Sequence, residues 1–223
     1  LGSPGSWVRV WRAAVADDVP SWSASSPYFI FNLEVDDPRI DTIAAGGFQQ
    51  RVVLAFKSGP DLLYTNSEDS GGTWSSPVTL FTESTTQFVY GFDVAADNAG
   101  VAHVIWNSFH FTDDLFRVQY RRAQWGGETI GDWELPRTLF DDTGFGPVQA
   151  TIAADHSLGG GGVIAASGGA LLADPPTYVF RSDDAGVTVV NTGVLDLVAT
   201  PAAAWGASGP VLAAGVTGAS AEE

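Results

Sequence analysis

No cysteine and no methionine occur in the 223 residues, and Lys57 is the single lysine beside nine arginines. Without cysteine neither disulfides nor thiol chemistry operates, and cysteine usage says nothing about the redox compartment. Ten basic residues against 26 acidic ones leave a net charge of −16, so the basic footprint that nucleic-acid binding needs is missing. A lysine-poor acidic surface suits a salt-rich setting; GC-rich coding, which favours Ala, Gly, Val and Arg, produces the same bias. No apolar run approaches the roughly 18 residues of a membrane span. No signal peptide is visible, yet the chain starts at Leu1 without methionine, which fits a processed or partial chain from which an N-terminal address could have been removed.

What is present is a hydrophobic content of 45%, too high for a disordered chain, and a length that suits one all-β domain. A repeated unit runs through it: a small-residue strand, a Gly-rich turn and a second apolar strand. Ile43-Ala44-Ala45 precedes Val52-Val53-Leu54-Ala55-Phe56, and Val94-Ala95-Ala96 precedes Val101-Ala102-His103-Val104-Ile105-Trp106. Ile152-Ala153-Ala154 precedes Val163-Ile164-Ala165-Ala166, and Ala202-Ala203-Ala204 precedes Val211-Leu212-Ala213-Ala214. Aligning Ala45, Ala96, Ala154 and Ala204 gives a period of roughly 50 to 58 residues, the length of a four-stranded propeller blade. Small side chains fit innermost strands crowded around an axis.

Each of the first three copies is followed by a second hairpin. The first has the turn Ser67-Glu68-Asp69-Ser70-Gly71-Gly72-Thr73-Trp74 between Leu62–Thr65 and Val78–Phe81. Asp and Ser side chains accept backbone N–H bonds there, and glycine supplies positive φ. In the second, Phe116–Tyr120 leads to Trp133–Phe140 through a different loop, Gln124–Asp132. The third, Ser182-Asp183-Asp184-Ala185-Gly186-Val187-Thr188-Val189, keeps Ser182, Asp184, Gly186 and Thr188 but has Val for Trp. The spacing of Ser67, Asp69, Gly71, Thr73 and Trp74 resembles the Asp-box of the sialidase-like (BNR-repeat) β-propellers. In that family the box is a structural turn on the face away from the catalytic pocket, so the resemblance implies a fold more than an activity.

The ends read as two halves of one blade. Residues 7–31 form a third-and-fourth-strand hairpin and residues 198–217 a first-and-second-strand hairpin, around complete blades at 39–81, 90–140 and 148–195. The expected fold is therefore all-β, a propeller of about four four-stranded antiparallel blades in a single domain, one blade being shared between the termini. Closure would remove exposed sheet edges. An arc of a larger propeller, complete only with another chain, fits the same pattern. Leu1–Ser6 and the last six residues read as flexible tails.

The loops leading into each first strand and those joining the second strand to the third form one face. They carry Arg39 with Asp36, Asp37 and Asp41; Gln87–Tyr90; Phe145–Gln149; Val198–Thr200; Lys57–Asp61; Asn107–Asp114; and Gly168–Thr177. The Asn107–Asp114 loop combines His110, Asp113, Asp114 and two Phe residues. Aromatic rings beside hydrogen-bonding groups suit sugars; a solvated loop whose Phe residues cover the blade is the plainer reading. Ligand-binding candidates are thus Arg39, Tyr90, Asn107, His110 and Gln149, although Arg39 among carboxylates also reads as a local ion pair. His103, within a strand, and His156, within a turn, have no metal-ligand spacing with another histidine and both read as structural; neither metal nor cofactor is expected.

A sialidase activity would require an arginine triad, a Tyr–Glu nucleophile pair and an Asp acid/base. The Phe/Tyr-Arg-Ile-Pro signature is missing, Asp37-Pro38-Arg39-Ile40 sharing only Arg-Ile with it. Arg117, Arg121, Arg122, Arg181 and Arg137 fall on outer strands. Weak catalytic candidates are Asp93, Asp113 and Asp114, since a glycosidase needs two carboxylates about 5 to 10 Å apart. The expectation is an extracellular or surface propeller that binds a glycan or a protein ligand, with no nucleic acid and no membrane span, self-associating to complete or stack propellers. A sialidase-like glycoside hydrolase, or a piece of one, stays open beside it.

Overall fold

The computed structural model describes residues 8–10, 13–16, 19–22, 29–31, 36–43, 51–126, 129–143, 149–157, 160–168, 176–195, 199–206 and 208–216. The expected terminal tails lie outside the described residues, as do Ala44 and Ala45 of the first repeat and loop residues 145–148, 169–175 and 198.

Nineteen strands and no helix make up the described chain. At the N-terminus β1 (Val8–Val10) pairs with β4 (Phe29–Phe31), and β2 (Ala13–Ala16) with β3 (Val19–Trp22). The first complete blade is the antiparallel meander β5 (Asp36–Thr42), β6 (Val52–Ser58), β7 (Asp61–Ser67) and β8 (Val78–Thr82). The second contains β9 (Gln87–Ala96), β10 (Val101–His110), β11 (Leu115–Gly126) and β13 (Arg137–Asp142), with the short β12 (Thr129–Ile130) also on β11. The third runs β14 (Gln149–Ala154), β15 (Val163–Gly168), β16 (Thr177–Ser182) and β17 (Val190–Leu195). A final hairpin joins β18 (Ala199–Gly206) to β19 (Gly209–Val216).

First strands β5, β9, β14 and β18 pack side by side in that order around a common axis, which makes the chain a β-propeller. The sheets are not closed into a ring: among the described residues β19 is paired with β18 and β1 with β4, each hairpin a two-stranded sheet of its own.

Two cores lie between successive blades, and alternation along β10 feeds both. Ala102, Val104 and Trp106 point into a cluster with Val53, Ala55, Leu62 and Tyr64 of the first blade. Ile105 points the other way, with Val118 and Tyr120, against Ile152, Val163, Ala165 and Phe180 of the third. A strand buried on both faces has no polar side to show, which explains the continuous apolar run Val104–Trp106 in the sequence. Each such buried large side chain contributes about 1.5–3 kcal/mol.

Neighbouring first strands belong to different sheets, so the backbone N–H groups on the edge turned away from the second strand have no ladder partner and need other acceptors. Side chains supply them. Asp41 Oδ2 accepts from the Ala96 N–H (2.8 Å), Asp93 Oδ2 from Ile152 N–H (3.0 Å), and Thr151 Oγ1 from Ala203 N–H (3.2 Å). Three side chains thereby stitch four first strands together.

The two similar hairpin turns have one geometry. Ser67 Oγ accepts from Gly71 N–H (2.7 Å) and Asp69 Oδ1 from Thr73 N–H (2.7 Å); Ser182 Oγ accepts from Gly186 N–H (2.9 Å) and Asp184 Oδ1 from Thr188 N–H (2.8 Å). Both place two consecutive residues at positive φ, Ser70 and Gly71 in one, Ala185 and Gly186 in the other. In the first, Trp74 Nε1 also donates to the Gly71 carbonyl at 3.1 Å. Those hydrogen bonds, led by the one from Thr73 to Asp69 and from Thr188 to Asp184, hold both carboxyls below the usual carboxylate range.

Candidate functional site

The first strands converge on a cleft of about 300 Å³, lined by Ile40 and Asp41 of β5, Asp93 and Val94 of β9, Ile152–Ala154 of β14, Ala203–Trp205 of β18, and His156. Small residues on β14 and β18 leave the space open. Asp93 is half-buried in it and accepts three hydrogen bonds, from Val94 N–H (2.9 Å), Ile152 N–H (3.0 Å) and Thr151 Oγ1 (3.1 Å). Burial nevertheless pushes its carboxyl pKa up, against those bonds and the positive charge of Arg39. Arg39 itself is held by Asp37 at 2.9 Å, both side chains being substantially exposed, so the local ion pair read from the sequence is formed.

His156 Nε2 lies 3.4 Å from Asp41 Oδ2, at the long end of hydrogen-bonding reach. The Asp41 carboxylate raises the imidazole pKa above its ordinary value, against the opposing effect of burial. A folded-state pKa above the unfolded one gives stability that is full below about pH 6.5 and is lost as pH rises through the folded value. Thermal melting between about pH 5.5 and 8.5 should therefore show wild type losing stability relative to Asp41→Asn as pH rises. Asparagine keeps an acceptor for Ala96 N–H, so a pH-independent difference would mean that the ion pair contributes nothing.

The sequence candidates do not gather in this cleft. Asn107 to His110 continue β10, because its ladder with β11 runs to His110↔Leu115; the turn itself is residues 111–114. Asn107 is fully buried between the second and third blades, its Oδ1 accepting from Ser167 Oγ at 2.8 Å, while its Nδ2 is buried without a partner. His110 is 5% exposed. Arg117 donates to its Nδ1 (2.9 Å), and Nε2 faces Ser108 Oγ (3.1 Å), whose hydroxyl donates to Gln119 Oε1. That chain of donors fixes a neutral Nε2–H tautomer. Burial first, and the Arg117 charge second, push its pKa down.

Asp113 is exposed and paired with Arg117 (2.9 Å), and Asp114 occupies the exposed turn at φ 52°. Both sit at the tip of the β10–β11 hairpin, outside the cleft. Tyr90 is 42% exposed beside a chain of packed rings, Phe88, Phe111, Phe109 and Phe116, whose neighbouring centroids lie 4.5–6.2 Å apart. Gln149 opens β14, exposed and paired with Gly168. The Ser67–Trp74 and Ser182–Thr188 turns lie at the other end of the sheets.

A second polar centre surrounds the histidine that the sequence placed within a strand, with partners the sequence did not name. His103, placed in an apolar strand, is fully buried; its Nδ1 meets Tyr120 Oη (2.7 Å) and its Nε2 meets Asp97 Oδ2 (3.1 Å). Desolvation pushes the Tyr120 hydroxyl pKa up. The 182–189 turn beside this network is held by arginines: Arg122 donates to the Ala185 carbonyl (2.8 Å), and Arg137 to the carbonyls of Gly186 and Val187. The lone histidine in an otherwise apolar run was the available signal. Arg51 is paired with Glu68, Arg181 with Asp183, and Arg121 donates to the carbonyls of Leu80 and Glu134. Among the described residues, no arginine triad converges on the cleft, and no group of three or more His, Asp or Glu could hold a metal ion.

The fold and its axial cleft define a β-propeller. A Penicillium chrysogenum α-L-arabinanase, solved with arabinobiose, is similar over 98% of this chain and 70% of its own, with a TM-score of 0.59 and 15% identity. A leech intramolecular trans-sialidase, solved with 2,7-anhydro-Neu5Ac, is similar over 90% of this chain at a TM-score of 0.53 and 14% identity. An ulvan lyase, a polysaccharide lyase, is similar over 91% at a TM-score of 0.50 and 12% identity. This chain spans 32% of the trans-sialidase and 55% of the lyase. No family model matches the chain, and no curated protein matches it in sequence. Likeness at these identities is likeness of fold.

Proposed function

We propose that this chain is a carbohydrate-directed propeller module of the Asp-box type, working outside the cell or at its surface, and that an uncharged glycan occupies the axial cleft. The observation that carries the reading is the convergence of four first strands on one cleft containing Asp41, Asp93, His156 and Trp205. Carboxylate acceptors and an indole ring are the groups that hold hydroxyls and sugar C–H faces. An uncharged ligand is favoured because the carboxylates of Asp41 and Asp93 line the cleft and the chain has a net charge of −16. The solved arabinanase, trans-sialidase and ulvan lyase support a glycan over other small ligands through shared fold alone.

One observation favours hydrolysis as a second reading. Burial raises the Asp93 pKa while Asp41 faces His156 in the same cleft, and two carboxyls in unlike environments are what a general acid and its partner require. A glycan array together with an aryl-glycoside screen tests both. Binding to neutral glycans without turnover is the expected result. Turnover that disappears in Asp93→Asn would replace the binding reading with the hydrolase, and silence in both assays would remove glycans altogether.

A further inference from the structure

A second recess, of about 470 Å³, adjoins the axial cleft and shares His156 and Trp205 with it. Asp155, Ser157, Gly206 and Gly209 complete its described lining. It lies where β14 turns into β15 and β18 into β19. The Ala185 N–H donates to the Gly161 carbonyl at 2.6 Å, so the 182–189 turn belongs to the same end of the sheets. Tyr90, His110 and Gln149 lie at the opposite end.

We infer that this recess is a sugar-stacking vestibule through which an uncharged mono- or disaccharide unit reaches the axial cleft, from the face carrying the hairpin turns. The inference rests on the glycan reading and adds to it the face, the platform and the ligand charge. Trp205 is the platform. Its ring lies directly on the backbone of Gly162, where an added Cβ would come within 2.2 Å of the indole, so the ring has a rigid floor and cannot sink further. The hairpin beyond it turns through Gly206 and Gly209, neither of which has a side chain to cover the indole. Gly209, at φ 115°, adopts a backbone that suits glycine alone.

Polar groups share the lining. Asp155 supplies a carboxylate whose Oδ1 already accepts from Ser157 N–H (2.8 Å), which fixes its position. Ser157 adds a hydroxyl that both donates and accepts, and His156 adds an imidazole held by Asp41. An indole, a carboxylate, a hydroxyl and an imidazole lining one recess match a sugar ring, which has apolar C–H faces and a belt of hydroxyls. A volume of this size is ordinary for small-molecule sites. A carboxylated or sulfated sugar would meet the carboxylates of Asp155, Asp41 and Asp93.

Titration calorimetry on the whole chain provides the test, with arabinobiose, xylobiose and cellobiose as neutral probes and 3′-sialyllactose as the anionic one. At least one neutral disaccharide should bind, with tenfold or greater preference over sialyllactose. Trp205→Ala should weaken that binding at least tenfold. Since removing an indole could disturb folding, Ser157→Tyr is the second variant: it starts from an exposed position, fills the recess, and should weaken binding tenfold while the melting temperature holds. Unchanged affinity in a folded Ser157→Tyr protein would overturn the vestibule and leave the glycan reading standing. Equal or tighter binding of sialyllactose would overturn the charge assignment. Wild-type protein that binds no glycan on an array would end the glycan reading, and the vestibule with it.

Discussion

Gly186→Ala should destabilise the protein by on the order of 3 kcal/mol or more, measured by chemical denaturation. Two effects add. Gly186 has φ 75°, where an L side chain costs about 1–2 kcal/mol. An added Cβ would also lie 1.8 Å from Tyr120 Oη and 3.3 Å from His103 Nδ1, so the turn must lift or the buried Asp97–His103–Tyr120 network must break. A buried donor or acceptor left without its partner costs about 1–3 kcal/mol. Gly59→Ala separates the two effects: its φ is 56°, but nothing lies within 4 Å of the new Cβ, so only the backbone term of about 1 kcal/mol remains. Tyr120→Phe removes the nearest atom, and the double variant should be less destabilised than the sum of the singles. Equal losses at Gly59 and Gly186 would show that the network does not set the cost.

Asp93→Ala should destabilise by on the order of 2–4 kcal/mol, because it leaves Ile152 N–H and the Thr151 hydroxyl without their acceptor at the join between the second and third blades. Asp93→Asn keeps one oxygen for that pair and forfeits mainly the local bond from Val94 N–H, so its loss should stay near 1 kcal/mol. The contrast identifies what Asp93 does. If asparagine restores both stability and ligand binding, the carboxylate is a stitch between blades that also lines the cleft. If asparagine restores stability but abolishes a glycosidase turnover seen in wild type, its proton is being used. Equal destabilisation by both variants would contradict the stitch.

The phase of the blades was legible because its markers are local. The Ser67–Trp74 and Ser182–Thr188 turns are built by side chains that reach backbone groups only two to four residues away, so their spacing survives as a pattern in the chain. Small residues on the first strands were legible for a related reason: every blade repeats the same crowding at the axis. Arg39 was read as the partner of nearby carboxylates, and its bond to Asp37 spans two residues. By contrast, the stretch from Asn107 to His110 read as a loop because its polar residues break the apolar pattern. In the fold those polar groups are buried in pairs, Asn107 with Ser167 and His110 with Ser108 and Arg117, so the strand continues through them.

The sequence by itself determined an all-β propeller, the period of its blades, the turns that mark one face, and an acidic chain ill suited to nucleic acid. Tertiary structure alone decided that His110 is sealed and neutral, that Trp205 rests on Gly162, and that Asp41 and Asp93 reach the next blade. Those contacts join residues as much as 55 and 59 positions apart, from Asp41 to Ala96 and from Asp93 to Ile152. Hydrogen bonds within a turn are dictated by the spacing of neighbours along the chain, whereas a cleft exists only after separate sheets have packed and left a volume between them.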